Sequence, residues 1–155
     1  MKKLLGLLSL VSISFVSFAQ TQAEKDDAIL QKYFAEHKIK ATKTPSGLYY
    51  VINQKGSGDN AKAGQNVTVN YTGKLLDGKP FDSNVDPQFN HVQPFSFTLG
   101  NHQVISGWDE GIAHYNKGAK GTLYVPSTLG YGPQARGPLP ANAIMIFDVE
   151  LVDAK

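Results

Sequence analysis

Residues 95–125 read FSFTLGNHQVISGWDEGIAHYNKGAKGTLYV, and their apolar period changes twice. Phe95, Phe97 and Leu99 alternate with Ser96 and Thr98, the period-two pattern of a half-buried strand. From Gly107 to about Tyr115 the spacing becomes helical. Trp108 and Ile112 are four apart, and Asp109 and Glu110 occupy the first turn, where a helix dipole favours acids. Leu123 and Val125 return to a strand pattern. Outward from this stretch the period stays at two. Leu48, Tyr50 and Ile52 alternate with Tyr49 and Val51, and Val67, Val69 and Tyr71 with Thr68, Asn70 and Thr72. Asp77-Gly78 predicts a hairpin turn leading to Phe81. Met145, Phe147, Val149 and Leu151 mark the inner face of a last strand. Residues 54–65, 84–93 and 126–141 read as loops. The patterns predict an α+β fold: an antiparallel sheet of five to six strands with one short helix. A single helix covers one face, so that face must be strongly apolar.

Ahead of the strands, residues 22 to about 40 carry helical spacing in Ile29, Leu30, Tyr33, Phe34 and His37. The spacing leaves open whether this extra N-terminal helix packs on the sheet or on a partner. The acids of this helix and of the turns read as solvated. Residues 1–19, MKKLLGLLSLVSISFVSFA, have the order of a signal peptide: Lys2 and Lys3, an uncharged apolar run, then Ser17 and Ala19 at the spacing a signal peptidase reads. The run is about 15 residues, short of the roughly 20 that span a bilayer. Cleavage before Gln20 is expected, giving a periplasmic or secreted protein with no stable membrane insertion. The expected organisation is a signal peptide at 1–19, a helix and linker at 20–45, and one domain at 46–155.

Composition narrows the chemistry. There is no cysteine among 155 residues, which excludes disulfides, zinc ribbons and thiol catalysis. Of 15 basic residues, Lys2 and Lys3 leave with the leader, so the mature chain has 13 against 13 acids. A neutral chain has no strong drive toward nucleic acid or anionic lipid. His37, His91, His102 and His114 are scattered, none with a ligand partner at i+4, and no metal site is expected. No nucleophile elbow, P-loop or dinucleotide fingerprint occurs. What remains are aromatics beside turns: Tyr71, Phe81, Phe95, Phe97, Trp108, Tyr131 and Phe147. On composition they form either an ordinary aromatic core or the lining of a pocket. For a pocket, Asp82 and the Tyr131 phenol are the candidate polar groups.

The order of short runs is more specific. Val69-Asn70-Tyr71-Thr72-Gly73, Gly78-Lys79-Pro80-Phe81-Asp82-Ser83, Pro94 to Gly100, Val104-Ile105-Ser106-Gly107-Trp108-Asp109-Glu110-Gly111, Leu129-Gly130-Tyr131-Gly132 and Ile146 to Leu151 occur in this order. The chain thereby resembles the FK506-binding-protein family of peptidyl-prolyl cis-trans isomerases over residues 46–152. The helix followed by Lys43-Thr44-Pro45-Ser46-Gly47-Leu48-Tyr49-Tyr50 is similar to its exported bacterial branch.

The resemblance implies a sheet wrapped around the Trp108 helix, with a pocket between them. It implies Trp108 as floor, Tyr71, Phe81, Phe95, Val104, Ile105 and Phe147 as walls, and Tyr131 and Leu139 from the last loop. It assigns catalysis to Asp82 and Tyr131, with the Ile105 N–H and the Tyr131 hydroxyl as donors to substrate carbonyls. The Gln103 carbonyl is an expected acceptor. The implied partners are proline-containing unfolded polypeptides and a macrolide of the FK506 type, and no cofactor is implied.

Two departures stand out. The loop from Ser83 to Gln93 lacks the arginine that often pairs with the pocket aspartate, which leaves the Tyr131 hydroxyl, the Tyr71 hydroxyl or Arg136 as candidates. Pro138-Leu139-Pro140 stands where many members have branched aliphatics. The rival readings are a non-catalytic peptide-binding or holdase module using the same pocket, and a domain with a filled aromatic core.

Overall fold

The structure, a computed structural model, describes residues 19–155. The expected signal peptide lies outside the described residues except for its last residue, Ala19. Among the described residues no helix is long and apolar enough to cross a membrane.

The main sheet is antiparallel and holds seven strands among the described residues. Six lie where the apolar alternation and the Asp77-Gly78 turn put them: β2 (Tyr49–Gln54), β4 (Asn66–Leu75), β5 (Pro80–Ser83), β6 (Phe95–Thr98), β8 (Lys120–Val125) and β9 (Met145–Ala154). The seventh, β1 (Thr42–Lys43), is a two-residue edge beside β2. The order is β1-β2-β8-β9-β4-β5, with β6 on the same side of β4 as β5. β9 therefore sits between β8 and β4 and pairs with both along most of its length. The expected loop at 54–65 contains β3 (Ser57–Asn60), which forms a small separate ribbon with β7 (Asn116–Lys117). These short polar pieces carry no apolar alternation, so periodicity gives no sign of them.

The inner face carries Val67, Val69, Leu123, Val125, Met145, Phe147, Val149 and Leu151, packed on α2 (Ser106–Gly111) and the 3-10 turn that follows it. Gly107 and Gly111 are four apart, so both face β8. A Cβ on Gly107 would lie 2.6 Å from Val125 Cγ1, and one on Gly111 2.6 Å from Leu123 Cδ1. The two glycines let the helix backbone rest directly on β8, and Trp108 projects beside them into the core.

The outer face is covered by the N-terminal helix, α1 (Gln22–His37). Thr21 and Glu24 close a capping box at its start, and Lys38 in the left-handed conformation ends it. Leu30 and Phe34 pack on Tyr49, Tyr124, Ile144 and Ile146, and Phe34 meets the Tyr49 and Tyr124 rings at 4.9 Å each. The helix thus packs on its own sheet. Its stripe is narrower than the spacing suggested, because Ile29 is exposed.

The solvated reading of the helix acids is overturned at two positions. Asp26 is 1% exposed, because it lies four and eight residues before Leu30 and Phe34 and shares their face. Its neighbour Asp27 pairs with Lys43 at 2.7 Å and accepts a hydrogen bond from the Tyr49 hydroxyl at 2.7 Å. The hydrogen bonds from Lys43 and then Tyr49 hold the Asp27 carboxyl below the usual carboxylate range.

Candidate active site

Between α2 and the β4–β5–β6 side of the sheet lies an open cavity of about 230 Å³. Each wall comes from a different element: Tyr71 from β4, Phe81 and Asp82 from β5, Phe95 from β6, Phe147 from β9, Trp108 from α2. Gln103, Val104 and Ile105 line it from the segment entering α2, and Tyr131 from the loop after β8. Grooves of similar volume lie at the start of α1 and on the outer sheet face, but neither gathers aromatic rings around a carboxylate.

Trp108 is only 5% exposed, yet it faces the cavity. Its ring meets Tyr71 at 4.9 Å and Phe147 at 5.2 Å, both nearly perpendicular. Phe81 stands edge-on to Phe147 at 5.7 Å. Such edge-to-face contacts suit the ring quadrupoles and fix the walls. Among the described residues the indole N–H finds no hydrogen-bond partner.

Neighbours on a regular strand point to opposite faces, so Phe81 and Asp82 need a local device to share one cavity. The register supplies it. Gly73 pairs with Asp82 and Lys74 with Pro80, which leaves Phe81 as the extra residue of a bulge. Gly73 accommodates the displaced ring: a Cβ there would lie 2.6 Å from Phe81 Cζ and 2.9 Å from Phe147 Cε1.

Both oxygens of Asp82 are engaged. The Tyr71 hydroxyl donates to Oδ2 at 2.6 Å, and His91 Nε2 lies 2.7 Å from Oδ1. Burial first, and then the Asp82 carboxylate, hold the Tyr71 phenol far above the usual tyrosine range, so it stays a donor. Of the three candidate partners for Asp82, the Tyr71 hydroxyl is the one the structure provides, and His91 joins it from outside that set. Arg136 instead lies over the Tyr131 ring, 4.9 Å from its centroid. The sequence does carry a sign of His91, since it is the only potential cation between Asp82 and Phe95. A search for metal-ligand spacing cannot pick it out.

Asn84, inside an expected loop, has a structural role that sequence patterning does not show. It is 2% exposed and fills the gap between β5 and β6 along the edge of β4. Its Oδ1 accepts from the Tyr71 N–H at 2.7 Å, while Nδ2 donates to the Val69 and Gln93 carbonyls at 3.0 and 2.9 Å. One side chain thus stands in for the missing piece of strand and closes the base of the 85–93 loop. Asn84→Ala would strand the half-buried Tyr71 N–H and is expected to cost about 1–2 kcal/mol. Urea unfolding measures that cost, and hydrogen exchange should show the 85–93 loop opening.

The Ile105 carbonyl accepts from Trp108 and Asp109, whereas its N–H makes no hydrogen bond among the described residues and remains available at the cavity. The Gln103 side chain accepts from the Thr98 N–H at 2.8 Å, tying this segment to β6. Tyr131 is 38% exposed at the rim. Leu139 is not in the lining. It is buried in the inner core, and its backbone exchanges two hydrogen bonds of 2.9 Å with Arg136.

Residues 58–152 match the sequence family described as FKBP-type peptidyl-prolyl cis-trans isomerase. The chain is 45% identical over 118 residues to FK506-binding protein 4 of Mycosarcoma maydis, covering 76% of this chain and 30% of that protein. It is 37% identical over 147 residues to the FKBP-type peptidyl-prolyl cis-trans isomerase FkpA of Escherichia coli strain K12, covering 90% of this chain and 52% of that one. The chain spans about half or less of the length of these relatives. Among solved structures it resembles the crystal structure of FkpA from Escherichia coli, with a TM-score of 0.71 and 35% identity over 86% of this chain and 61% of that one. It also resembles the crystal structure of AtFKBP13, with a TM-score of 0.69 and 32% identity over 76% of this chain and all of the other.

Proposed function

Because the chain belongs to the FKBP-type peptidyl-prolyl cis-trans isomerase family, we propose that it accelerates rotation about X-Pro bonds in exported polypeptides as they fold. The observation that carries this reading is the cavity itself: an aromatic box floored by Trp108, with one oriented carboxylate and one free backbone N–H at its edge.

Amide resonance opposes rotation with a barrier of roughly 18–20 kcal/mol. Twisting the bond removes that resonance and makes the amide less polar. An aromatic pocket would hold the twisted form better than water does, and catalysis is this difference in binding. The proline ring would rest on the Trp108 indole between Tyr71, Phe81, Phe95 and Phe147, with Val104 and Ile105 closing one end. The Ile105 N–H and the Tyr131 hydroxyl would hold the flanking carbonyls, and Asp82 would act on the twisted bond. The reaction transfers no group and no electrons, so it calls for no cofactor. Export through residues 1–19, with release to the periplasm or medium, would place the enzyme where slow proline isomerisation limits folding. The catalytic unit would be residues 46–155, with residues 20–45 as an appended helix and linker.

A second reading is binding without catalysis. It draws on the same cavity, where Phe95 and Tyr131 stand exposed at the rim and would grip an unfolded chain. A protease-coupled assay on an Ala-Xaa-Pro-Phe peptide separates the two. Catalysed isomerisation, inhibition by an FK506-type macrolide and a matching change in Trp108 fluorescence are expected. Peptide binding without acceleration would support the holdase instead. An unchanged Trp108 spectrum at saturating macrolide would favour a filled core.

A further inference from the structure

We infer that Asp26, on the N-terminal helix, is a positioning residue for Tyr131, so that α1 braces the rim of the cavity from the opposite face of the sheet. Only the kinetic part of this inference rests on the proposed isomerase function.

Asp26 is a buried carboxylate, and it pairs with no cation among the described residues. Burying a charge is costly unless hydrogen bonds replace its water. Three do so: Gln22 Nε2 donates to Oδ1 at 2.7 Å, and the Ser127 N–H and hydroxyl both donate to Oδ2, at 2.8 and 2.6 Å. Ser127 is itself fully buried. Its carbonyl accepts from the Gly130 N–H at 3.0 Å and the Gly132 N–H at 2.9 Å, the two residues that flank Tyr131. The Gly132 carbonyl in turn accepts from the Asn142 N–H at 2.8 Å, linking the turn to the chain that enters β9. Ser127 therefore grips Asp26 with its N–H and hydroxyl and the Tyr131 turn with its C=O.

Tyr131 needs this brace. It is partly exposed and its neighbours on both sides are glycines, which give the backbone no stiffness of its own. Its ring lies under Arg136, which belongs to the same loop and so offers no anchor outside it. Apolar packing of Leu30 and Phe34 would dock α1 without a buried charge. The carboxylate adds a fixed point at Ser127, in the turn that leads directly into Tyr131.

The test uses the full chain and three variants, D26A, D26N and S127A. Two readouts are followed: amide hydrogen exchange at Gly130 and Gly132, whose N–H groups the Ser127 carbonyl accepts, and kcat/KM on a proline peptide. D26A should speed exchange at these amides about tenfold relative to β4 and β9, and lower kcat/KM roughly fivefold through a misplaced rim. D26N keeps an acceptor for both Ser127 donors and should restore both readouts. S127A removes one of the two donors and should shift both readouts in the same direction by less. Should D26A fail to fold, S127A and D26N carry the test. Unchanged loop exchange in folded D26A, or in S127A if D26A does not fold, would overturn the inference, and Asp26 would then only dock the helix. If the wild-type chain shows no isomerase activity, the proposed function fails, while the exchange readout still decides the role of Asp26.

Discussion

Asp82→Ala is expected to lower kcat/KM on a proline peptide about tenfold while the protein stays folded. The backbone of Asp82 keeps its pairing with Gly73 whatever the side chain, so the sheet has no reason to change. What disappears is a carboxylate at an apolar cavity, held by the Tyr71 hydroxyl and His91. Tyr71→Phe keeps the ring against Trp108 and removes one of those two hydrogen bonds, and a loss of roughly threefold is expected. His91→Ala should behave similarly. Arg136→Ala should act through Tyr131, whose ring it covers, and leave Asp82 in place. Steady-state kinetics with circular dichroism on each variant makes the comparison. Full activity in folded Asp82→Ala would assign the acceleration to the aromatic walls and the carbonyl donors alone.

The largest stability effect is expected at Trp108. Trp108→Ala removes a buried indole that touches Tyr71, Phe95, Phe97 and Phe147, and should cost about 3–5 kcal/mol. Trp108→Phe should cost roughly 1 kcal/mol or less, because it keeps a ring and removes a buried N–H that lacks a partner. Urea unfolding followed by circular dichroism gives both values. Similar costs for the two variants would mean that the part of the indole a phenyl ring cannot replace carries most of the stability.

The elements that carry an apolar period are legible in the sequence: six strands, the short helix and the N-terminal helix. The fold follows from them because alternation fixes which face of each strand is buried. Of the ten site residues expected from the resemblance, nine line one cavity. Leu139 does not, because the Arg136–Leu139 backbone pairing turns it into the core. Polar residues with structural roles are less legible. Asp26 shares its composition class with the solvated acids around it, and only its place on the Leu30–Phe34 stripe marks it as buried. His91 and Asn84 act across a loop whose path no periodicity encodes.

The central place of β9 has a consequence for timing. Leu75 pairs with Met145 and Val67 with Ala154, while β8 finds its second partner in the same strand. Contacts this distant along the chain must close large loops before they are rewarded, so the sheet forms slowly. During synthesis, β4 and β8 have no common neighbour until residues 145–154 have emerged. Until then the sheet can exist only as two separate pieces, β1–β2–β8 and β4–β5–β6, and β9 is the strand that joins them last.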